Sequence, residues 1–239
     1  MVEQKSRGVL YIASGYEHIK AALLSAQSVR DTNPNLPIHL FADYQQQNIQ
    51  LDAEPGPLTS WENISDPHRR SKVDYISRTP FEQTMYLDTD TRVLCDLEDV
   101  FCLLENFDVA LAHAHKRELP NKQKNLKVKT PNAFPQFNSG VFLFRKNAKT
   151  LEAFAKWQKW FYELKLPTDQ NTLREILWES DLRIATLPPE YNVRFIKYIL
   201  LWSKDEARPK ILHLPYYRQG LASYFKRWKR VILRRVKAV

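Results

Sequence analysis

Apolar positions along the chain fall into short runs with two different periods. Gly8–Ser14 (GVLYIAS) is a β-branched and aromatic run ending at a Ser-Gly turn, which predicts a buried strand. From Glu17 to Arg30, Ile19, Ala22, Leu23, Ala26 and Val29 recur at helical spacing, and Asn33-Pro34 stops that helix. Pro37–Ala42 (PIHLFA) reads as a second strand. A strand, a helix and a strand in that order predict parallel pairing with the helix packed on the sheet. Further strands are expected at Thr84–Leu87, Phe107–His113, Phe137–Phe144, Ile184–Leu187 and Ile211–Leu214. Helices are expected over His68–Ser77, Leu97–Leu104, Ala148–Leu164 and Thr168–Trp178, the last with Thr168 as N-cap.

Two stretches show neither period. Residues 44–67 hold three prolines and Gly56 and read as a long loop. Residues 116–136 carry five lysines and three prolines, and an irregular segment of that length is expected to be functional or mobile. No internal repeat or interdomain linker is visible. The predicted class is α/β, one Rossmann-like domain with a mixed, mostly parallel sheet flanked by helices. The predicted division is a body over 1–220 and a basic amphipathic tail over 221–239.

Composition removes several function classes. The chain has 239 residues, 44% hydrophobic and 26% charged, enough for a core without disulfides. Cys95 and Cys102 lack zinc-ligand spacing and are expected to be buried core residues. Residues 1–7 carry no apolar signal segment, and the run Ile196–Trp202 is too short to span a bilayer, so a cytoplasmic location is expected. Net charge is +9, but residues 226–239 hold seven basic residues and no acid, which leaves 9 − 7 = +2 for residues 1–225. A body that near neutral argues against a nucleic-acid partner. Between the tail cations, Phe225, Trp228, Ile232 and Val236 recur every three or four residues. A helix over 225–239 built that way suits an anionic membrane surface, which would make the protein peripheral on the inner face of a membrane. A helix docked on the body, or a frayed end, is the other reading.

Five glycines cannot supply a Gly-x-Gly-x-x-Gly or a Walker A loop, and no Gly-x-Ser-x-Gly is present. The chemistry-bearing motif is Asp88-Thr89-Asp90, directly after the strand TMYL. An Asp-x-Asp alone is expected ~0.7 times by chance in this composition. Its place raises its value, because the carboxyl edge of a parallel sheet is where open α/β folds bind ligands. Residues two apart on a strand project to one face, so both carboxylates could converge on one hard cation, Mg²⁺ or Mn²⁺. A cation there could offset charge on a departing diphosphate.

With that motif in place, the chain resembles the GT-A nucleotide-diphospho-sugar glycosyltransferases of the glycogenin and lipopolysaccharide-galactosyltransferase type. The resemblance spans Val9–Leu214 and rests on GVLYIAS, Lys72, MYLDTDTRV, FNSGVFLF, Asp169-Gln170, PPEYN and ILHLP in that order. It implies a hexosyltransferase-like enzyme with retention of configuration, a nucleoside-diphosphate-sugar donor (a UDP-sugar ahead of the others) and a glycan or glycolipid acceptor. It also implies site roles. Asp88, Asp90 and His213 would hold Mn²⁺ or Mg²⁺, the histidine tilting the choice toward Mn²⁺. Taken alone, His213 reads as a core histidine. Tyr11, Ala13 and Ser14 would line the nucleobase and ribose site, with plain strand packing as the other reading. Lys72 and Thr89 would face the donor; Arg70 could join Lys72 there, with a solvated helix face as the favoured reading for it. Asn138, Ser139 and Gly140 would contact the donor sugar, Gly140 by allowing close backbone approach. Asp169 and Gln170 would sit at the anomeric carbon. The diphosphate-clamping segment that often follows the late histidine is replaced by LPYYRQG, where Arg218 could supply the charge. The 116–136 loop is expected to shape the acceptor site.

Two alternatives stand beside this. A haloacid-dehalogenase-type phosphatase also starts from Asp-x-Asp after a strand, but Arg92 stands where its motif wants Thr or Val. A non-catalytic relative that binds sugar nucleotide or membrane is the other.

Overall fold

The computed structural model describes residues 6–51, 56–68, 70–115, 126–165, 168–203, 205–215 and 217. Its centre is a seven-stranded sheet in the order β3-β2-β1-β4-β7-β6-β8. The strands are β1 (Arg7–Ala13), β2 (Ile38–Ala42), β3 (Ser60–Asn63), β4 (Gln83–Leu87), β6 (Val109–His113), β7 (Phe137–Arg145) and β8 (Ile184–Leu187). All pairings are parallel except the two that β7 makes with β4 and β6. The mixed, mostly parallel sheet expected from the sequence is therefore present.

Helices cover both faces because the central strands are apolar on both sides. One core packs α1 (Tyr16–Thr32), α3 (Glu98–Phe101) and α4 (Leu103–Asn106) through Ile19, Ala22, Val29, Phe101 and Leu104. The other packs α2 (Lys72–Tyr75), α5 (Ala148–Glu163) and α6 (Gln170–Glu179) through Val73, Phe154, Trp157, Leu173 and Ile176. Strand alternation divides β1 between them: Tyr11 and Ala13 face the α1 core, Leu10 and Ile12 the other.

A separate two-stranded ribbon positions the site. β5 (Thr91–Val93) begins one residue after Asp90 and pairs antiparallel with β9 (Ile211–His213), so that Thr91 lies opposite His213. The Leu214 N–H donates to the Asp90 carbonyl at 2.9 Å. The ribbon thus brings a histidine more than a hundred residues away in sequence onto the aspartate turn. A buried hydroxyl chain fixes the same turn from below. Tyr11 Oη lies 2.9 Å from Ser25 Oγ, Ser25 Oγ lies 2.6 Å from Thr91 Oγ1, and Thr91 Oγ1 donates to the Asp88 carbonyl at 2.9 Å.

Several expectations change. The 44–67 stretch contains β3, an edge strand with alternating half-buried and exposed positions that its polar composition conceals. The helix expected over His68–Ser77 is one α-helical turn, Lys72–Tyr75, followed by a 3-10 turn, Ile76–Arg78. Thr168 caps nothing: α6 starts at Gln170 with Asp169 at the N-cap position, and no side chain caps it. A short α7 (Ile196–Leu201) leaves Leu200 and Leu201 exposed. Cys95 is half-buried and Cys102 exposed, so the cysteines are not core residues. Within 116–136, the described residues 126–136 are anchored on α6. Glu175 accepts from the Leu126, Lys127 and Val128 N–H groups, and Arg174 donates to the Pro131 and Phe134 carbonyls. Residues 221–239, which hold the basic tail, lie outside the described residues.

Ser25→Ala should lower the unfolding free energy by about 1–3 kcal/mol in urea, because it strands the buried Tyr11 hydroxyl. Adding Tyr11→Phe should recover part of that loss; equal or greater destabilisation of the double variant would contradict the hydroxyl chain.

Candidate active site

The chain turns at Asp88-Thr89-Asp90 where β4 leaves the sheet, and the turn, not strand alternation, brings the two carboxylates together. One ligand atom from each of Asp88, Asp90 and His213 lies within 4.8 Å of the others. His213 Nε2 is 3.2 Å from Asp90 Oδ1 and 3.5 Å from Asp88 Oδ2, and it is buried without a hydrogen-bond partner. Two carboxylate oxygens and an orphaned imidazole nitrogen facing one point form a donor set that fits a divalent cation. The Tyr86 hydroxyl donates to Asp88 Oδ1 at 2.8 Å and leaves Oδ2 turned toward the histidine.

β7 crosses directly behind this point. A Cβ on Gly140 would lie 2.1 Å from His213 Cε1 and 2.5 Å from Asp88 Oδ2. The glycine is therefore required by the aspartate and the histidine themselves, a closer constraint than the donor sugar it was expected to admit. The Asp88 N–H donates to the Gly140 carbonyl at 2.8 Å and locks the two strands together there.

Beside the aspartates lies a charged cluster. Lys72 Nζ is 3.5 Å from Asp88 Oδ1 and 3.2 Å from Asp169 Oδ2, and it donates to Ser139 Oγ at 2.9 Å. Arg70 Nη1 is 3.3 Å from Asp169 Oδ1, so it is ion-paired in the cleft wall, not on the solvated helix face expected for it. Ser139 Oγ donates to Asp169 Oδ2 at 2.8 Å. Its hydroxyl is thus committed to Lys72 and Asp169 within the protein. Burial disfavours every charge in this cluster, but the charges offset one another. Burial pushes the Asp169 carboxyl up, and Lys72, Arg70 and the Ser139 hydroxyl more than reverse that and hold it below its ordinary value. Asp88 is likewise pushed up by burial and held well below by Lys72. Burial lowers Lys72, and Asp169 and Asp88 raise it above its ordinary value.

An open cleft of about 550 Å³, bulk solvent at its mouth included, runs along these groups. Its lining includes Ile12 and Ser14 from the end of β1, Arg70, Ser71 and Lys72, and the Asp88-Thr89-Asp90 turn. Ser14, Lys72, Thr89, Asp88 and Asp90 thus fall together as the sequence suggested. Tyr11 and Ala13 do not line the cleft: strand alternation turns them into the α1 core, where Tyr11 is fully buried. Asn138 is buried beside Gly140 and accepts its N–H at 3.0 Å. Gln170 is half-buried at the start of α6, its carbonyl accepting from the Gln136 amide. Arg218 lies outside the described residues. Sequence reasoning passed over Tyr86, Ile12 and Asn192. Tyr86 stands two residues before Asp88, and Asn192 ends the PPEYN segment, so both lay within motifs already noted.

Asp169 supplies stability that is complete above about pH 4 and is lost as pH falls through its depressed folded value. Lys72→Met removes the cation that holds Asp169 and Asp88 down. Acid unfolding should then begin at higher pH, with a loss of about 3–5 kcal/mol at neutral pH for the broken buried pair. An unchanged acid midpoint by circular dichroism would contradict the assigned charge balance.

A model of the nucleotide-diphospho-sugar transferase family matches residues 83–223, more than half of the chain. A search of curated protein sequences returns no match. Among solved structures, the chain is similar to the galactosyltransferase LgtC in complex with donor and acceptor sugar analogs, with TM-score 0.64, 14% identity and 87% of each chain covered. It is similar to the glycosyltransferase GlyE of Streptococcus pneumoniae TIGR4, with TM-score 0.58 and 22% identity, covering 87% of this chain and 54% of that one. It is also similar to mouse xyloside xylosyltransferase 1, with TM-score 0.58 and 12% identity, covering 87% and 97%. These likenesses establish the GT-A glycosyltransferase fold, and the family match sets the phosphatase reading aside. With the aspartate turn, Ser139, Gly140, Asp169 and His213 all inside the matched segment, the chain belongs to the nucleotide-diphospho-sugar transferase family of glycosyltransferases.

Proposed function

We propose that the protein is a metal-dependent glycosyltransferase that moves a sugar from a nucleoside-diphosphate sugar to a glycan or lipid-linked acceptor with retention of configuration. A UDP-sugar is the proposed donor. The convergence of Asp88, Asp90 and His213 beside the Lys72 cleft carries this reading. These three residues would hold Mn²⁺ in preference to Mg²⁺, and the bound ion would supply Lewis-acid neutralisation of the departing diphosphate. LgtC binding donor and acceptor sugar analogs supports a sugar acceptor.

The chain's own residues account for the rest. Lys72 places a second positive charge beside Asp88, where a donor phosphate would sit. Ser14 and Thr89 line the same cleft, and Gly140, whose N–H Asn138 accepts, packs against Asp88 and His213. Asp169 is engaged by Lys72, Arg70 and Ser139 together, which suits it to orienting those cations and not to attacking carbon. Gln170, an amide, is a weak nucleophile at the neighbouring position. Retention is therefore proposed without a covalent carboxylate intermediate. Arg218 is proposed to complete the diphosphate site, and the 116–136 loop to face the acceptor.

No helix among the described residues is long and apolar enough to cross a membrane. The Phe225, Trp228, Ile232 and Val236 pattern between cations supports peripheral association with an anionic membrane, from the cytoplasmic side, near a lipid-linked acceptor.

Two measurements test these readings. In a thermal-shift series with UDP, GDP, CDP and ADP, each with Mn²⁺, Mg²⁺ or EDTA, UDP with Mn²⁺ should raise Tm most. Asp90→Asn should fold and lose the Mn²⁺-dependent part. Stabilisation indifferent to EDTA and to Asp90→Asn would rule out the metal assignment. In a flotation assay, the full chain should bind vesicles containing phosphatidylglycerol, and binding should fall with salt. Equal binding to neutral vesicles, or none to either, would reject the membrane reading.

A further inference from the structure

A histidine can hold a cation through Nε2 only if its proton sits on Nδ1. Around His213 that choice is made by a chain of amides. The Gly140 backbone N–H, which can only donate, reaches Asn138 Oδ1 at 3.0 Å and fixes which way the Asn138 amide faces. Asn138 Oδ1 also accepts from Asn192 Nδ2 at 2.9 Å, which fixes the Asn192 amide in turn. Asn192 Oδ1 then lies 2.8 Å from His213 Nδ1 and can only accept from it. Asn192 is fully buried, Asn138 and His213 nearly so, and water cannot easily substitute for any member. The backbone holds the chain in register: the His213 N–H donates to the Val193 carbonyl, and the Val193 N–H to the Ile211 carbonyl.

We infer that Asn192 and Asn138 are positioning residues that set the tautomer of His213, passing the direction of one backbone N–H on β7 to the imidazole. The proton stays on Nδ1, and the Nε2 lone pair faces Asp88 and Asp90. Nε2 is buried with no hydrogen-bond partner, 3.2 Å from Asp90 Oδ1 and 3.5 Å from Asp88 Oδ2. Without Asn192 Oδ1, the favourable alternative puts the proton on Nε2, where it donates to Asp90 and closes the position a cation needs. The inference rests on the metal reading above for its consequence, but the tautomer itself exists without metal.

The experiment measures both separately. In metal-free wild-type protein at pH 8, ¹⁵N–¹H correlation spectra of the imidazole should show His213 protonated on Nδ1. An Nε2-protonated or averaged ring overturns the inference. Asn192→Ala should move the ring toward the Nε2–H form and weaken Mn²⁺ binding by about 10–100-fold, measured by calorimetry. Asn192→Asp keeps an acceptor for Nδ1–H and should retain the wild-type tautomer, with Mn²⁺ affinity closer to wild type than to Asn192→Ala. If Asn192→Ala leaves tautomer and affinity unchanged, or if both variants lose affinity alike with the wild-type tautomer, the positioning role is wrong. A wild-type Nδ1–H tautomer in a protein that binds no Mn²⁺ would sink the metal reading while leaving the tautomer assignment standing.

Discussion

Negative charge gathered at one sheet edge is the constraint around which this molecule is arranged. Asp88, Asp90 and Asp169 approach one another across a few residues, with an imidazole lone pair turned toward two of them. Such a group is tolerable inside a protein only with positive charge in contact. Lys72 and Arg70 supply it on the Asp169 side, and Lys72 reaches Asp88 as well. The Asp90 side instead has the His213 imidazole in contact, with Arg194 adding positive charge. That asymmetry suits a site for a divalent ion and a phosphate.

The fold is legible as the means of holding that asymmetry. β4 and β7 run antiparallel side by side, so the aspartate turn and Asn138–Gly140 meet at one end of the sheet. The missing side chain at Gly140 lets β7 pass within contact of both Asp88 and His213. The β5–β9 ribbon carries His213 to the turn, and the Tyr11–Ser25–Thr91 hydroxyls hold the turn against α1. On the other face, the Trp157 indole N–H donates to the Asp169 carbonyl at 2.9 Å and ties the start of α6 to α5. Site geometry is therefore fixed by rigid elements on both sides of the sheet, and not by loops alone.

Much of the framework could be read from periodicity, because buried central strands and amphipathic helices carry strong apolar signals. β3 and β5 escaped it: one is a half-exposed edge and the other is three residues long. The aspartate pair was legible as a candidate cation site from its place after a strand. Tyr11 was misplaced because a motif quoted as a string ignores alternation, and alternation turned Tyr11 inward and Ile12 toward the cleft. Arg70 was misplaced because its partner, Asp169, lies almost a hundred residues away. Asn192 carried no signal of its own, since an amide's role depends on neighbours that only the folded chain assembles. For Arg70 and Asn192 the missing information was a long-range contact, which no local pattern encodes.

The central claim is that a divalent cation occupies the point shared by Asp88, Asp90 and His213. Its most direct test is a crystal grown with Mn²⁺ and UDP, with diffraction collected at an energy where manganese scatters anomalously. The account predicts one strong anomalous peak within coordination distance of all three side chains, with the diphosphate on its open side. A peak elsewhere, or UDP bound in the cleft with no manganese at these residues, would contradict it.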